Sequence, residues 1–172
     1  MKTLVVYDSV FGNTERIALA IGGALATGGA GTTGRNWHVE TLRVGDVKPE
    51  YLNGLELLIV GSPTRAFRPT KAITDFLNGI PSNGLKGVEV AAFDTRISTA
   101  DVRSRFLKVM VSLFGYAAKP IADKLVQKGG ALIAPPEGFF VKASEGPLKD
   151  GELERAVEWA KAVVAAVGTQ GH

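Results

Sequence analysis

The sequence predicts a single α/β domain in which a mostly parallel, five-stranded sheet is covered by helices on both faces. The 172 residues suffice for one domain with a sizeable core, and 45% of them are hydrophobic. Short apolar segments alternate along the chain with segments of helical periodicity. Such strand–helix–strand units cross over with a right-handed connection and place successive strands in parallel. Five strands of this kind fit the doubly wound order 2-1-3-4-5.

Strands are predicted where apolar or β-branched residues run without helical spacing. Residues 3–7 are typical of a strand that is buried on both faces. The fifth strand is interrupted by Pro135-Pro136, because proline has no backbone N–H to donate to a ladder. The predicted strands are 3–7, 37–44, 55–60, 88–93 and 131–134, with extended structure resuming at 139–141.

Helices are predicted where apolar residues recur at spacings of three and four. The first begins at Thr14, and we expect it to end in a glycine- and threonine-rich loop at 28–34. Another begins near Pro120, since proline is tolerated in a first turn, and runs to Gly129. The predicted helix-face positions are Ile17, Ile21, Ala24, Leu25, Ile73, Phe76, Leu77, Ile80, Val102, Phe106, Val109, Met110, Leu113, Leu153, Val157, Ala160 and Val164.

Composition argues against several classes of function. The chain has no cysteine, which excludes disulfides, thiol nucleophiles and thiolate metal sites. His38 lies in a predicted strand and His172 is the last residue, so we expect no metal site. A net charge of +3, without a basic run that contains aromatic residues, argues against nucleic-acid binding. No apolar run is long enough for an export signal or a membrane span, and we expect a cytoplasmic protein.

The loop after the first strand, Ser9-Val10-Phe11-Gly12-Asn13-Thr14, leads directly into the first helix. Free N–H groups and the helix dipole make such a helix N-terminus an anion site. Ser9, Asn13 and Thr14 add hydroxyl and amide groups that can bind a phosphate. Neither GxGxxG nor GxxxxGK[ST] is present, which favours a single monoester phosphate over a dinucleotide or a nucleoside triphosphate. The alternative is a structural loop, with Thr14 as the N-cap and Gly12 in a turn.

Two further polar segments are expected beside this loop, because the carboxyl ends of strands one, three and four meet at the switch point of the sheet. The third strand is followed by the loop Gly61-Ser62-Pro63-Thr64-Arg65-Ala66-Phe67, and the fourth by Asp94-Thr95-Arg96. Asp94 is interpreted either as the cap of the next helix or as an acceptor for a ligand N–H. Ser98 and Thr99 compete with it for the capping role.

Residues 4–18, centred on VVYDSVFGNTERIA, resemble the FMN-phosphate signature of the flavodoxin family. Gly61-Ser62-Pro63-Thr64 resembles the second flavin loop of that family, and Phe93-Asp94-Thr95-Arg96 occupies the place of its third. The resemblance covers nearly the whole chain and implies a flavodoxin-like three-layer sandwich with a noncovalent FMN. It places the phosphate in the first loop and the ring between the other two. The implied cofactor-binding residues are Ser9, Val10, Phe11, Gly12, Asn13, Thr14, Ser62, Pro63, Thr64, Arg65, Ala66, Phe67, Phe93, Asp94, Thr95, Arg96 and Ile97.

Three features differ from electron-carrying members of that family. Phe11 stands where many flavodoxins have a second hydroxyl residue. An aromatic residue at this position is closer to the flavodoxin-like domains of flavodiiron proteins and to FMN-dependent quinone reductases of this fold. The third loop, through Ile97, has no tyrosine to stack on a flavin, and the chain is not acidic. Phe11 or Phe67 could provide an apolar face to the ring instead, although Phe67 could equally be a core or helix-staple residue.

Arg65, Arg68 and Arg96 lie in or beside the two ring-binding loops. An arginine near the flavin N1–C2 edge would favour the anionic reduced ring, since opposite charges attract strongly where water is excluded. Arg68 could instead contact an NADPH phosphate or an acidic partner. The alternative is that all three arginines are solvated at the surface.

These observations predict an FMN-binding electron carrier that works between redox partner proteins. One alternative is an FMN-dependent NAD(P)H:quinone oxidoreductase, which would need a nicotinamide pocket over the ring. Another is a flavin-free regulatory module with the same fold. Asp8 and Glu15 lack the spacing and context of an acid–base pair, and the flavin carries its own redox chemistry, so no catalytic residue is predicted.

Overall fold

The computed structural model describes residues 1–34, 36–98, 100 and 104–168. Within them, one sheet lies between two layers of helices, and the predicted α/β class is confirmed. The strands are β1 (Lys2–Tyr7), β2 (His38–Arg43), β3 (Leu57–Pro63), β4 (Glu89–Ile97), β5 (Ala131–Leu132) and β6 (Glu137–Val141). The helices are α1 (Asn13–Thr33), α2 (Lys71–Gly79), α3 (Arg105–Phe114), α4 (Ala118–Gln127) and α5 (Glu152–Ala166), with short 3-10 turns at Val44–Asp46 and Pro49–Leu52.

The strand order is β2-β1-β3-β4-β5, as predicted, and every neighbouring pair is parallel. A sixth strand was not predicted as a separate element. β5 pairs with Glu89 and Val90 at the start of β4, whereas β6 pairs with the end of β4, from Phe93 to Ile97. The two short strands therefore occupy successive lengths of one edge, and Pro135-Pro136 lies between them because proline cannot donate to the ladder.

Side-chain alternation along β1 divides the core into two layers. Val5 and Tyr7 lie in the layer that α1 and α5 cover, whereas Leu4 and Val6 lie in the layer that α2 and α4 cover. α3 is present where a helix was predicted, but its helix-face residues Phe106 and Val109 are exposed. α4 covers this part of the sheet instead, and its buried residues are Ala118, Ile121, Ala122 and Leu125.

Three predicted boundaries are wrong. α1 continues through the glycine- and threonine-rich segment to Thr33 and ends at Gly34, whose left-handed φ of +64° suits a helix C-terminus. A helical glycine costs only about 1 kcal/mol relative to alanine, which packing of α1 against α5 can offset. β3 and β4 also continue into the polar residues that were predicted to be loops, because the two strands stay paired as far as Pro63 and Thr95.

Some predicted positions have no structural description. Thr99, Val102 and His172 lie outside the described residues, as do the side chains of Met110 and Leu113. Among the residues that the structure describes, no helix is both long enough and apolar enough to cross a bilayer. The same residues include no group of three histidine, aspartate or glutamate side chains arranged to hold a metal ion.

Gly61 of β3 lies against the ring of Phe93, and we predict that a side chain at this position destabilises the fold. A Cβ atom there would stand 2.0 Å from Cζ of the ring. We expect Gly61→Ala to lower the free energy of unfolding by about 1–3 kcal/mol, measured by urea denaturation. Gly23→Ala is the control, since a Cβ at Gly23 in α1 meets no atom within 4 Å. This control should gain up to about 1 kcal/mol, and equal urea midpoints for the two variants would contradict the prediction.

Candidate functional site

A cleft of about 310 Å³ opens at the carboxyl ends of β1, β3 and β4, where the strand order reverses. All three predicted segments contribute to its walls. Val141 and Ser144, which the sequence did not indicate, also line it. The predicted residues that line the cleft are Val10, Phe11, Asn13, Thr14, Pro63, Thr64, Arg65, Ala66, Thr95, Arg96 and Ile97.

The first loop leaves the N-terminus of α1 without a side-chain cap. Gly12 is the N-cap residue, with a left-handed φ of +85° that glycine adopts without strain. Its N–H donates to Oγ of the buried Ser9 over 3.0 Å, and this hydrogen bond holds the loop. Thr14 is therefore not the N-cap, and that part of the structural alternative is wrong. The N–H groups of the first turn and the positive end of the helix dipole remain available to an anion.

Two side-chain contacts join this loop to other parts of the cleft. The hydroxyls of Thr14 and Thr95 are 2.8 Å apart, which links the start of α1 to β4. Nδ2 of Asn13 donates to the carbonyl of Glu145 over 3.0 Å, in the segment that follows β6. Gly146 allows this close approach, because a Cβ there would lie 2.6 Å from Nδ2 of Asn13. The sequence did not indicate that this segment reaches the cleft.

Arg43 at the end of β2 brings a cation to a loop that contains none. Its Nη2 donates to the carbonyl of Ser9 over 2.7 Å and lies 3.4 Å from Oδ1 of Asp8. The parallel register of β1 and β2 pairs Tyr7 with Arg43, and so places this side chain beside the loop. This contact was missed from the sequence because the register of β1 and β2 was not predicted.

Asp94 is fully buried, and its carboxylate is bound by the protein itself. Nε of Arg96 donates to Oδ1 over 2.5 Å, and Nη2 of Arg96 donates to Oδ2 over 2.8 Å. The backbone N–H of Ala118 donates to Oδ2 over 2.7 Å, so Asp94 caps α4, the second helix after it, and not α3. Burial raises the pKa of Asp94. The positive charge of Arg96 opposes that rise, as do the hydrogen bonds that Asp94 forms with Arg96, Ala118 and Thr64.

Arg96 is held between an aromatic ring and the backbone, and is not a solvated surface arginine. Its guanidinium carbon lies 3.9 Å from the ring centroid of Tyr116. On β6, a Cβ at Gly138 would lie 2.2 Å from the same carbon, so only glycine leaves room for the guanidinium. The pairing with Asp94 balances the charge of Arg96. Tyr116 was not found from the sequence because it lies beyond α3, outside the third loop.

The second loop ends in a tight turn that separates two surfaces. Arg65 and Arg68 exchange backbone hydrogen bonds of 2.8 and 3.0 Å, and the two central residues have φ values of +45° at Ala66 and +67° at Phe67. Such left-handed conformations are costly for residues other than glycine and are concentrated at functional sites. Arg65 and Ala66 line the cleft, whereas Phe67 and Arg68 line a neighbouring groove. Phe11 is therefore the phenylalanine at the cleft, with the Arg65 guanidinium carbon 5.6 Å from its ring centroid.

Several predicted binding residues support the cleft without lining it. Ser62 is buried, and its hydroxyl accepts a 2.9 Å hydrogen bond from the N–H of Thr70, which holds the second loop. Phe93 lies in the core, with edge-on contacts to Phe139 at 6.1 Å and to Trp159 at 6.2 Å, because alternation along β4 directs its side chain toward α5. The predicted residues that do not line the cleft are Ser9, Gly12, Ser62, Phe67, Phe93 and Asp94.

Solved structures with the same architecture include several flavodoxins. A flavodoxin from the domain Archaea matches with a TM-score of 0.74 and 25% sequence identity, over 97% of this chain and 99% of that one. Flavodoxin 1 from Bacillus cereus matches with a TM-score of 0.72 and 18% identity, over 96% and 98% of the two chains. Rubredoxin oxygen:oxidoreductase from Desulfovibrio gigas has a TM-score of 0.68 and 19% identity, over 96% of this chain but 35% of its own.

The chain has the flavodoxin-like fold, as its motifs predict. No protein-family model and no curated protein sequence matches it. The similarity is therefore one of fold, in the strand order and the helix layers.

Removal of the Arg96 charge is predicted to destabilise the protein most at high pH. Arg96→Gln leaves the buried Asp94 carboxylate without its cation, at a cost of about 3–5 kcal/mol near neutral pH. The pKa of Asp94 is already raised by burial, and loss of Arg96 raises it further. The folded state then binds this proton more tightly than the unfolded chain, so stability falls as pH rises through the folded-state pKa. Relative to wild type, the urea midpoint should be lower at about pH 8 than at about pH 5.

The double variant Asp94→Asn, Arg96→Gln is the control for this prediction. It removes both charges together, and we expect it to recover most of the lost stability and to lose the added pH dependence. The prediction is wrong if Arg96→Gln shifts the urea midpoint equally at both pH values.

Proposed function

We propose that the cleft binds FMN noncovalently and that the protein carries electrons between partner proteins. The observation that carries this proposal is the uncapped first turn of α1, which opens into a cleft where three strands end. A phosphate dianion suits this turn because it accepts hydrogen bonds from backbone N–H groups and is attracted by the helix dipole. The likeness to flavodoxins over nearly the full length of both chains supports the same function.

The residues of the cleft fit both ends of this cofactor. Asn13 and Thr14 would bind the phosphate together with the backbone N–H groups of the first turn. Phe11 and Ile97 would contact the ring with apolar surface, and Thr64 would hydrogen-bond its polar edge. FMN would supply the redox chemistry, while the protein orients the ring and adjusts its reduction potential.

Arg65 is the arginine with which this chain would adjust that potential. It lines the cleft and forms no ion pair with any residue that the structure describes, whereas Asp94 balances the charge of Arg96. A cation at this position would stabilise negative charge on the reduced ring. We therefore assign the electrostatic role that the sequence divided between Arg65 and Arg96 to Arg65.

The partners would be redox proteins of the cytoplasm with acidic docking surfaces. The net charge of +3 favours such partners, since surfaces of opposite charge steer encounter and fix orientation. Two measurements distinguish this function from the two alternatives, an oxidoreductase and a flavin-free module. Steady NADPH oxidation with a quinone would instead identify an oxidoreductase, and failure to take up FMN would identify a flavin-free module.

Phosphate recognition by the first turn of α1 gives the most direct test. Purified protein should bind FMN in a titration followed by visible absorbance and flavin fluorescence. Asn13→Asp places a negative charge beside the phosphate, and we expect the Kd for FMN to rise at least about tenfold. The Kd for riboflavin, which has no phosphate, should change little. Asn78→Asp on α2 is the control with the same charge change, and equal effects of both variants on FMN would contradict the assignment.

The role of Arg65 is tested by the midpoint potential of the bound flavin. Arg65→Gln should lower it by an amount on the order of tens of millivolts, because the reduced ring loses a nearby cation. Lys161→Gln on α5 removes the same charge away from the cleft and should leave the potential close to that of wild type. Redox titration against dyes measures both variants. A potential that does not move in Arg65→Gln would remove Arg65 from this role.

A further inference from the structure

A groove of about 590 Å³ lies between α2 and α4, next to the Arg65–Arg68 turn. We refer to it as the α2–α4 groove. Arg65 and Ala66 line the cleft, and the next two residues of the turn line this groove instead, so the turn forms a partition between the two. The groove combines apolar surface with positive charge. Its apolar surface comes from Phe67, Leu77 and Pro120, and its positive charge from Arg68, Lys71 and Lys124.

The charge of the α2–α4 groove has one sign. Its cations come from three separate elements, and no carboxylate is among the described residues that line it. Lys71 pairs with Asp75 on the exposed surface of α2, at 2.5 Å. Arg68 and Lys124 have no ion-pair partner in the described part of the chain. A concave surface with charge of one sign attracts ligands of the opposite charge, so the groove selects an anion.

The nearby helix N-termini are already capped, so the attraction of the groove for an anion depends on its separate side-chain cations. The side chain of Thr70 accepts the N–H of Ile73 at the start of α2. The first N–H of α4, at Ala118, donates to Asp94. A phosphate therefore finds no uncapped helix N-terminus here, unlike at α1. Separate cations around an apolar floor match a peptide segment in which acidic residues flank an apolar one.

We propose that the α2–α4 groove docks an acidic segment of the protein that exchanges electrons with the cleft. This inference rests on the proposed function and adds to it the surface that the partner uses. A segment seated in the groove would contact Phe67 and Arg68, whose neighbours Arg65 and Ala66 border the flavin site. The partner is thereby held beside the cofactor, with one tight turn of backbone between them.

The experiment uses the purified full chain and a fluorescein-labelled peptide in which eight glutamates flank one phenylalanine. Binding is measured by fluorescence anisotropy at low ionic strength. We expect Arg68→Gln, Lys124→Gln to raise the Kd about tenfold, as loss of two charge contacts would. Lys86→Gln, Lys161→Gln removes the same net charge outside the groove and should stay within about twofold of wild type. Added salt should weaken the wild-type complex.

Three results would overturn the docking surface: no binding of the peptide to wild type, equal weakening in both double variants, or weakening in neither. A fourth would be displacement of the peptide by 2′,5′-ADP but not by inorganic phosphate at equal ionic strength, which would indicate a nucleotide site. FMN titration of the same samples separates this inference from the proposed function. We expect Arg68→Gln, Lys124→Gln to bind FMN like wild type. Groove-dependent peptide binding by a chain that does not take up FMN would keep the docking surface and reject electron transfer.

Discussion

The buried carboxylate of Asp94 joins the elements that form one side of the cleft. It lies on β4, binds the guanidinium of Arg96 and accepts the first N–H of α4, while the Thr64 hydroxyl accepts the N–H of Ala117. A buried carboxylate is stable only while such partners remain in place, because its desolvation cost is large. The end of β4, the loop after β3 and the start of α4 are therefore joined on one side of the cleft.

The shape of the cleft also depends on three glycines, where a side chain lies close against the backbone. Gly61 leaves room for the ring of Phe93, Gly138 for the guanidinium of Arg96, and Gly146 for the side chain of Asn13. Each glycine lies in β3, β6 or the segment after β6, and each permits a contact with an element distant in sequence. A larger residue at any of them would displace a side chain that lines or supports the cleft, since cores close-packed in this way tolerate little added volume.

Positive charge lies on both sides of the Arg65–Arg68 turn, and we propose a different role for each side. Asp94 balances Arg96 at the cleft, which leaves Arg65 as the cation that would act on a bound flavin. On the other side of the turn, Arg68 and Lys124 line the α2–α4 groove, and no described residue that lines it is a carboxylate. A cofactor that gains negative charge on reduction and a partner with an acidic surface would thus be attracted by separate cations, whose effects can be measured independently.

The sequence by itself determined the layered α/β class, the strand order and the polar loop that leads from β1 into α1, because hydrophobic periodicity and the loop's own residues are local properties. It also indicated most residues that line the cleft, since parallel strands bring their carboxyl ends together. Only the tertiary structure decided the roles of Arg96, Phe67 and Asp94. The partners of Arg96 and Asp94, which are Tyr116, Ala118 and Gly138, are remote in sequence. The direction of each side chain, including that of Phe67, depends on strand register and packing, which local pattern does not specify.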